Sequence, residues 1–465
     1  PHTVGIKSLP TLNNTSDQLI LKNEKGELID SLSYTQHFYG DETKMNGGYS
    51  LERIHMQSSC PDHKNWIASQ HPDGGTPGFV NSVSDKIIDS LPPKIIQITI
   101  DNLKTVTLKL DEIAVNEQLA EPNNYRILPD NLYPEYVSVL DNNKEIQLTF
   151  SSTLPSHYIL QLSIAELTDC FGNMDFDQTV EIIPIQEPVT GDILINEILF
   201  NPLPKGVDFI ELYNISDKYI SLNTLQFKVY KNAQLSQKIT LETSQAIGPK
   251  QYITLTTDSL LLKNDYPLAI QIQELPKIPE MNNTEGIISL YTSADHFMDS
   301  IHYHENQHFA LLNDYDGVSL ERINFGGKGH DPHQWHSASS EVGYATPGNK
   351  NSQFISDEEQ KLEFNLSSKF VSPDGDGYED YLALKYHLKA LGYILNGYIY
   401  NLSGFLMHQP FNNISIGSHG LLKWDGVLND GSKLPIGNYI LQVEAFNSTG
   451  EVIRKKIAFG ILGTF

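Results

Sequence analysis

The residues most suited to metal chemistry lie in one acidic loop near the C-terminus. The loop contains Asp374, Asp376, Glu379 and Asp380, interleaved with two glycines. Carboxylate oxygens are the ligands that Ca²⁺ prefers, and glycine lets a backbone wrap closely around an ion. The spacing and the absence of helical flanks exclude an EF-hand. The loop is therefore a candidate structural calcium site, with a metal-free turn rich in Asp and Gly as the alternative.

Six histidines form two clusters that could ligate a transition metal. Such a site needs three or four imidazoles or carboxylates that converge on one point. The other copy of the repeat described below lacks these histidines, so the fold does not require them. We therefore expect histidines on the surface rather than a metal site. The two clusters are His302, His304 and His308, and His330, His333 and His336.

The two cysteines, Cys60 and Cys170, are too few for a disulfide framework or a thiolate metal cluster. They fall in ranges that we assign to different domains. On that basis we expect two unpaired thiols.

Motifs of the common enzyme classes are missing from the sequence. It contains no Gly-x-Ser-x-Gly elbow, no phosphate-binding or dinucleotide-binding Gly-rich loop, no His-Glu-x-x-His and no Cys/His nucleophile context. Pairs of carboxylates could be chosen almost anywhere among 57 acidic residues, so their spacing does not indicate a glycosidase. We expect a protein that is not an enzyme.

Charge and length narrow the class of protein further. The chain has 465 residues, and 32 Lys and Arg against 57 Asp and Glu give a net charge of −25. That charge argues against binding nucleic acid through phosphate neutralisation. The sequence has no run of about 18 apolar residues that would predict a transmembrane helix. The length predicts about three compact domains.

The elements that must position these residues are predicted to be β-strands. Short runs alternate apolar and polar residues with period two and are bounded by Asn, Asp, Gly and Pro. Residues 356–362 are the best helix candidate, and they are short and charged like a linker. The predicted fold is all-β, a series of Ig-like β-sandwiches. The clearest runs cover residues 94–100, 105–110, 145–150, 252–256 and 439–444.

One stretch of the sequence occurs twice. Leu51–Arg53 recurs as Leu320–Arg322, 269 residues later. Many other positions keep the same offset, and after one inserted residue Thr76 corresponds to Thr346. The chain therefore carries two copies of one module. Further matched pairs are Asp30 and Asp299, Tyr34 and Tyr303, and Trp66 and Trp335.

The first copy lacks the N-terminal half of the second. The second copy extends upstream to Gly191, and the same offset would place the matching residues of the first copy before Pro1. Half a sandwich could not bury its core alone. We expect the native protein to contain residues before Pro1 that complete the module, and a peptide from a separate chain is the alternative.

The second copy resembles the lamin-tail domain, an Ig-like β-sandwich of nuclear lamins and of many secreted bacterial proteins. The resemblance is carried by Asn196-Glu197, Phe209–Asn214, Leu320–Arg322, Trp335 and the turn at residues 346–349. It covers residues 190–352 in full and residues 1–84 in part. Pro and Gly in the turn fit a tight closing turn with one positive φ.

The Leu-Glu-Arg triplet invites a catalytic interpretation, but we expect a structural role. The expected arrangement is an ion pair at the edge of the sandwich, with the leucine in the core. The residues of this structural motif are Glu52, Arg53 and Trp66 in the first copy and Glu321, Arg322 and Trp335 in the second.

Two further regions resemble other Ig-like families. Residues 88–186 resemble bacterial Ig-like modules of surface-layer and adhesin-type proteins, and we expect Asp169 and Asn173 to cap a turn there. Residues 360–465 resemble the C-terminal domain shared by flagellar hook-capping proteins and by gliding-motility or type IX secretion cargo. This second resemblance is carried by residues 370–380 and 434–440, and it implies a Bacteroidota-type bacterium.

Together these features predict a scaffold that is secreted or exposed on the cell surface. Its lamin-tail and Ig-like modules would bind protein partners, and its C-terminal domain would link it to outer-membrane export or surface machinery, including secretion-system components. One alternative is an accessory region of a secreted hydrolase, such as a nuclease, whose catalytic domain lies upstream of residue 1. Another is a polysaccharide-binding adhesin.

Overall fold

The computed structural model describes residues 4–5, 7–56, 60, 62–84, 90–115, 119–140, 143–231, 234–355 and 363–463. The chain forms two compact units, Pro1–Pro184 and Ile185–Phe465. Antiparallel strands dominate both units, which confirms the predicted all-β fold. The linker expected at residues 356–362 lies outside the described residues, and the domain boundaries within each unit stay predictions.

The first unit begins with two separate pairs of antiparallel strands, β1 with β2 and β3 with β4. The turn between β1 and β2 is closed by the Asn23 side chain, which accepts from the amides of Lys25 and Glu27 at 3.0 and 2.9 Å. The elements are β1 (Ser16–Lys22), β2 (Leu28–Thr35), β3 (Leu51–Arg53), α1 (Asp62–Asn65) and β4 (Trp66–Ala68).

The rest of the first unit is a two-sheet sandwich. Its sheets have the strand orders β5-β6-β9-β8 and β11-β10-β7, and their inward side chains share one core. As predicted, Asp169 caps a turn, accepting from the amides of Phe171 and Asn173 at 2.8 and 2.7 Å. The strands are β5 (Ile95–Asp101), β6 (Thr105–Leu110), β7 (Tyr125–Leu128), β8 (Tyr136–Leu140), β9 (Glu145–Thr149), β10 (Leu160–Thr168) and β11 (Met174–Ile182).

The prediction of two unpaired thiols is wrong, because Cys60 and Cys170 form a disulfide. Cys60 lies just before α1, and Cys170 lies in the turn that follows β10. An ion pair of 2.7 Å between Lys64 and Glu112 links the same two parts of the unit. The two cysteines lie in ranges that we assigned to different domains, but those ranges pack against each other within one unit. The cysteines can therefore meet.

The second unit begins with a larger sandwich that contains the second copy of the repeat. A six-stranded sheet of order β19-β18-β13-β12-β22-β23 packs on a four-stranded sheet of order β16-β15-β20-β21. The elements are β12 (Ile193–Leu199), β13 (Phe209–Asn214), β14 (Ile220–Ser221), β15 (Leu225–Lys231), β16 (Gln234–Thr240), β17 (Ala246–Ile247), β18 (Tyr252–Thr256), α2 (Ser259–Asp265), β19 (Ile272–Glu274), β20 (Glu285–Thr292), β21 (Phe297–His304), β22 (Leu320–Arg322) and β23 (Trp335–Ser337).

The unit ends in another sandwich, with sheets of order β24-β26-β29 and β25-β31-β30-β27-β28 around one core. It contacts the preceding sandwich directly. The Leu421 amide donates to Glu341 at 3.0 Å, and the Ser418 amide donates to the Ser352 carbonyl at 2.9 Å. The strands are β24 (Glu363–Leu366), β25 (Phe370–Val371), β26 (Leu382–His387), β27 (Tyr393–Asn401), β28 (Leu406–Ile416), β29 (His419–Trp424), β30 (Gly437–Asn447) and β31 (Val452–Ile461).

The repeat found in the sequence is also a repeat of structure. Strands β1, β2, β3 and β4 coincide with β20, β21, β22 and β23 when the offset of 269 residues is applied. Applied to β12 through β18, the same offset gives positions before residue 1, so these strands have no counterpart among the described residues of the first copy.

Candidate functional site: a buried acidic layer

Three glutamates lie side by side on neighbouring strands of the six-stranded sheet. Glu197 on β12 pairs in register with Glu211 on β13 and with Glu321 on β22. Side chains directly opposite one another in a sheet point to the same face and lie about 5 Å apart. All three glutamates are fully buried, and they form a continuous layer that we call the acidic layer.

Hydroxyl and amide donors surround the carboxylate of Glu321. Thr346 Oγ1 donates to one of its oxygens at 2.8 Å. The other oxygen accepts from Ser352 Oγ and from the Gln353 amide, each at 2.8 Å. Glu321 thereby fixes the segment that follows the closing turn to the sheet.

The other two glutamates hold the turn itself. Glu197 accepts from Ser319 Oγ and from the Thr346 amide, the latter at 2.8 Å. Glu211 accepts from the Gly348 amide and, at 2.8 Å, from Asn196 Nδ2. The three carboxylates thus share one polar network with the turn.

The turn at residues 346–349 has the predicted geometry. The Asn349 amide donates to the Thr346 carbonyl at 2.9 Å, and Gly348 has a φ of 80°. An ideal Cβ on Gly348 would lie 1.8 Å from the Ile270 carbonyl oxygen. Glycine is therefore required both by its backbone conformation and by the space available.

Burial raises the free-energy cost of ionising the three glutamates of the acidic layer. Desolvation raises the pKa of Glu197 well above its ordinary value, and the like charges of Glu211 and Glu321 raise it further. Desolvation also raises the pKa of Glu211 to about 8 and raises the pKa of Glu321. Some of the layer therefore holds protons at neutral pH, since no Lys, Arg or His side chain donates to these carboxylates among the residues that the structure describes.

The sequence predicted an ion pair at the edge of the sandwich for the Leu-Glu-Arg triplet, and Arg322 differs from this prediction in its partner and in its burial. It pairs with Asp299 at 2.6 Å rather than with the glutamate of its own triplet, and it is 1% exposed rather than at the edge of the sandwich. Successive residues of a strand point to opposite faces, so Glu321 and Arg322 cannot meet. The guanidinium also donates to the carbonyls of Ile195 and Gly327 at 3.1 and 2.6 Å and lies over Trp335.

The first copy repeats part of this arrangement. Thr76 Oγ1 and Ser82 Oγ donate to the two oxygens of Glu52 at 2.7 and 2.6 Å, as their counterparts do to Glu321. Arg53 pairs with Asp30 at 3.0 Å and lies over Trp66, so the ion pair of the second copy is also present.

The histidines do not come together as a metal site among the described residues. Against expectation, His308 is buried. Its ring stacks on Tyr315 and its Nδ1 lies 2.9 Å from Ser337 Oγ. Desolvation lowers the pKa of His308 to about 4, so the ring is neutral at physiological pH. Apolar neighbours supplied by the tertiary fold account for the burial.

The acidic loop brings three of its four candidate ligands together. One oxygen from each of Asp374, Asp376 and Asp380 lies within 4.8 Å of the others, and Glu379 is not part of this group. The carboxylate of Asp380 accepts from the amides of Gly375 and Gly377 at 2.6 and 2.9 Å. These bonds also fit the metal-free turn that the sequence allowed.

Glu197 and Glu211 were not expected at this site. Both lie inside motifs that carry the lamin-tail resemblance, so a signal for their importance was present in the sequence. Their proximity to Glu321 depends on strand register across residues far apart in the chain. The carboxylate oxygens of all three glutamates accept hydrogen bonds from groups inside the protein. The acidic layer is therefore suited to a structural role rather than to acid-base catalysis.

The fold and the acidic layer define a protein built from β-sandwich modules in series. Within it, residues 186–305 match the family model described as Lamin Tail Domain, as expected for the second copy. A search of curated proteins gave no match to this chain. The described helices are all too short or too polar to cross a lipid bilayer.

Solved structures similar to this chain include part of an S-layer protein and a DUF4876 family protein. The N-terminal part of the bacterial S-layer protein SbsC is 15% identical, with 46% of this chain and 44% of that chain covered and a TM-score of 0.20. A DUF4876 family protein from Bacteroides thetaiotaomicron is 10% identical, with 43% and 81% covered and a TM-score of 0.21. This chain spans less than half the length of the S-layer fragment.

Proposed function

We propose that this protein is a non-enzymatic scaffold that is secreted or exposed on the cell surface and whose modules bind protein partners. The observation that carries the proposal is the acidic layer. The residues that most resemble catalytic groups, Glu197, Glu211 and Glu321, are fully buried and tie the closing turn to the sheet. The lamin-tail match of residues 186–305 supports the same role.

The disulfide supports a location outside the cytoplasm. Disulfides persist in oxidising compartments and are rare in the cytosol, where thiols are kept reduced. Cys60 and Cys170 form a disulfide that holds two parts of the first unit together. A net charge of −25 also suits an extracellular protein that must stay soluble.

The C-terminal sandwich is the proposed link to the outer membrane or to the export machinery. The support is the resemblance of residues 370–380 and 434–440 to gliding-motility and type IX secretion cargo. On this proposal the source is a Bacteroidota-type bacterium and secretion-system components are among the partners. The loop of Asp374, Asp376 and Asp380 is proposed to bind a structural Ca²⁺ ion there.

Fractionation and crosslinking in a bacterium that has type IX secretion would test this function. We expect the full chain, carrying an internal affinity tag, to reach the cell surface or the medium and to crosslink to surface proteins. A matched chain that ends before residue 363 should still fold its lamin-tail sandwich but lose surface association. Cytoplasmic retention of the full chain, or a chain at the surface without crosslinked partners, would contradict the proposal.

A further inference from the structure

A cleft of about 550 Å³ lies on the larger sandwich of the second unit, and the glutamates of the acidic layer do not line it. Three segments form its walls. They are the loop between β12 and β13, residue 257 directly after β18, and the segment between β19 and β20. Ligand sites in proteins are usually concave and combine apolar walls with a few polar groups. The tertiary fold thus brings three distant segments together around one concave surface.

Asp208 places a half-buried carboxyl group in this cleft. Its backbone carbonyl accepts from Thr256 Oγ1 at 2.9 Å, but no hydrogen bond or ion pair within the described residues engages its side chain. Desolvation raises the pKa of Asp208 to about 6. A partly buried carboxylate is stabilised when a hydrogen-bond donor or a cation pairs with it. Asp208 therefore lacks a partner that a ligand could supply.

Several walls of the cleft cannot donate a hydrogen bond to this carboxylate. Three of the wall residues are prolines, which have no backbone N–H. They are Pro202, Pro276 and Pro279. The lysine of the cleft, Lys277, lies 4.0 Å from Glu280 and forms no ion pair with Asp208. The cleft thus leaves the carboxylate of Asp208 to an external donor.

The cleft has the chemistry to hold a cation that is carried on an apolar stem. Val207, Ile278 and the three prolines offer apolar surface in the same cleft as the carboxylate. The stems of lysine and arginine pack along apolar surface, while their charged heads pair strongly with carboxylates. Glu280 adds a second negative charge to the cleft, and the net charge of −25 attracts cationic partners. A cationic side chain therefore fits both the carboxylate and the walls.

A metal ion or a sugar fits the cleft less well. Ca²⁺ takes six to eight oxygen ligands. Asp208 and Glu280 are the only acidic residues among the described residues that line the cleft. A sugar needs several polar groups that converge on its hydroxyls, and the three prolines reduce the number of donors available. A single unpaired carboxylate is instead complementary to a single positive charge.

We propose that this cleft binds a lysine or arginine side chain of a protein partner, with the ammonium or guanidinium group paired to Asp208. This inference rests on the proposed scaffold function, since it names how one protein partner is recognised. The charged head donates to the carboxylate, and the methylene stem packs on Val207, Ile278 and the prolines. Charge complementarity thus selects the kind of side chain, and the apolar walls favour one with a long stem.

Methyl NMR of the full chain would test the inference, because the methyl groups of Val207 and Ile278 report from the walls of the cleft. The probes are the blocked tripeptides acetyl-Gly-Lys-Gly-amide and acetyl-Gly-Arg-Gly-amide. A third tripeptide with norleucine in the middle keeps the apolar stem of lysine and lacks its charge. We expect saturable shifts of both methyl signals with a cationic tripeptide, and binding about tenfold or more weaker with norleucine. Binding of either cationic tripeptide supports the inference and identifies the preferred side chain.

Two isosteric variants show whether the carboxylate is responsible. Asp208→Asn removes the charge and should weaken binding of the cationic tripeptides about tenfold or more. Glu242→Gln is the matched control, because Glu242 is exposed and does not line the cleft, and it should bind like the parent chain. Unchanged methyl signals of residues outside the cleft show that both variants fold.

Four results would overturn the inference. They are the absence of saturable shifts, equal binding of the norleucine tripeptide, equal binding to the Asp208→Asn chain, and the same saturable shifts with glucose in place of the tripeptides. None of these measurements depends on export or on surface association in cells. Failure of the cleft to bind a cation is therefore distinguishable from failure of the proposed scaffold function.

Discussion

Glu52 and Glu321 occupy equivalent positions 269 residues apart and accept from equivalent hydroxyls, yet their pKa values move in opposite directions. Burial opposes ionisation of Glu52, but the hydroxyls of Ser82 and Thr76 outweigh it and lower its pKa. Desolvation outweighs the same type of bonds at Glu321 and raises its pKa. The difference follows from β12 and β13, which cover Glu321 and have no counterpart over Glu52 in the part of the chain that the structure describes.

The second unit should become less stable as pH rises from about 6.5 to 8, above the range in which the lowered pKa of buried His308 contributes the opposite slope. A raised pKa of Glu211, about 8 against an ordinary value of 4.5, means that the folded state binds a proton more tightly than the unfolded state. The stabilisation is therefore present below pH 4.5 and lost as pH rises through the folded pKa. Each group titrating in this window changes the free energy of unfolding by about 1.4 kcal/mol per pH unit.

Chemical denaturation at several pH values measures this slope, and Glu211→Gln should flatten it. Glu52→Gln is the matched control, because a lowered pKa contributes stability above the unfolded pKa and loses it as pH falls. A residual slope of the same sign should remain in the Glu211→Gln chain, because burial also raises the pKa values of Glu197 and Glu321 and raises that of Glu341 to about 7. If Glu211→Gln left the slope unchanged, the raised pKa of Glu211 would not be a source of the pH dependence.

The two equivalent arginines should differ in their contribution to stability. Arg322→Ala leaves Asp299 buried without its partner, which costs about 3–5 kcal/mol. Arg53→Ala breaks a pair whose side chains are 19% and 49% exposed, which costs much less because solvent screens the two charges. Urea unfolding measures the loss in the free energy of unfolding for each variant. Equal losses would show that the buried pair of Arg322 stabilises the protein no more than the exposed pair of Arg53.

Gly348→Ala should strongly destabilise the second unit, by about 3 kcal/mol, because its Cβ would meet the Ile270 carbonyl oxygen. Gly343→Ala is the matched control. Gly343 has the same φ of 80° with nothing within 4 Å of an added Cβ, so only the backbone penalty of about 1–2 kcal/mol applies. Thermal unfolding compares the two, and similar midpoints would mean that the turn can move away from Ile270.

Reduction should destabilise the first unit and leave the second unaffected. The disulfide closes a span of 110 residues, and removing a native disulfide typically costs about 2–5 kcal/mol. We expect thiol titration to find no free thiol in the native chain and two after reduction. Limited proteolysis of a chain with Cys60→Ser and Cys170→Ser should cut residues 1–184 first. Thiols free in the native chain would refute the pairing.

The proposed calcium site should bind with a Kd of about 0.1–1 mM, the range of extracellular modules. Titration calorimetry of the chelator-treated chain measures this, and Asp376→Asn should weaken binding because it removes one of three clustered carboxylates. Asp430→Asn is the control, since Asp430 caps its own turn through Ser432 and is not part of such a group. If titration with millimolar Ca²⁺ produced no heat of binding, the result would favour a turn that binds no metal.

The sequence alone determined the strands, the repeat and the closing turn. Period-two alternation is a local property, so runs such as residues 105–110 and 252–256 coincide with β6 and β18. The offset between Leu51–Arg53 and Leu320–Arg322 gave the correspondence of β1 to β4 with β20 to β23. Pro and Gly predicted the turn at residues 346–349 because Pro fixes φ and Gly admits a positive φ, whatever the surroundings.

The tertiary structure decided which distant residues meet. The disulfide of Cys60 and Cys170, the burial of His308 and the pairing of Arg322 with Asp299 all differ from expectation. The row of Glu211, Glu197 and Glu321 depends on strand register, which brings together residues more than a hundred positions apart. Contacts and desolvation are set by packing across the whole module, whereas periodicity and turn chemistry are set within a few residues.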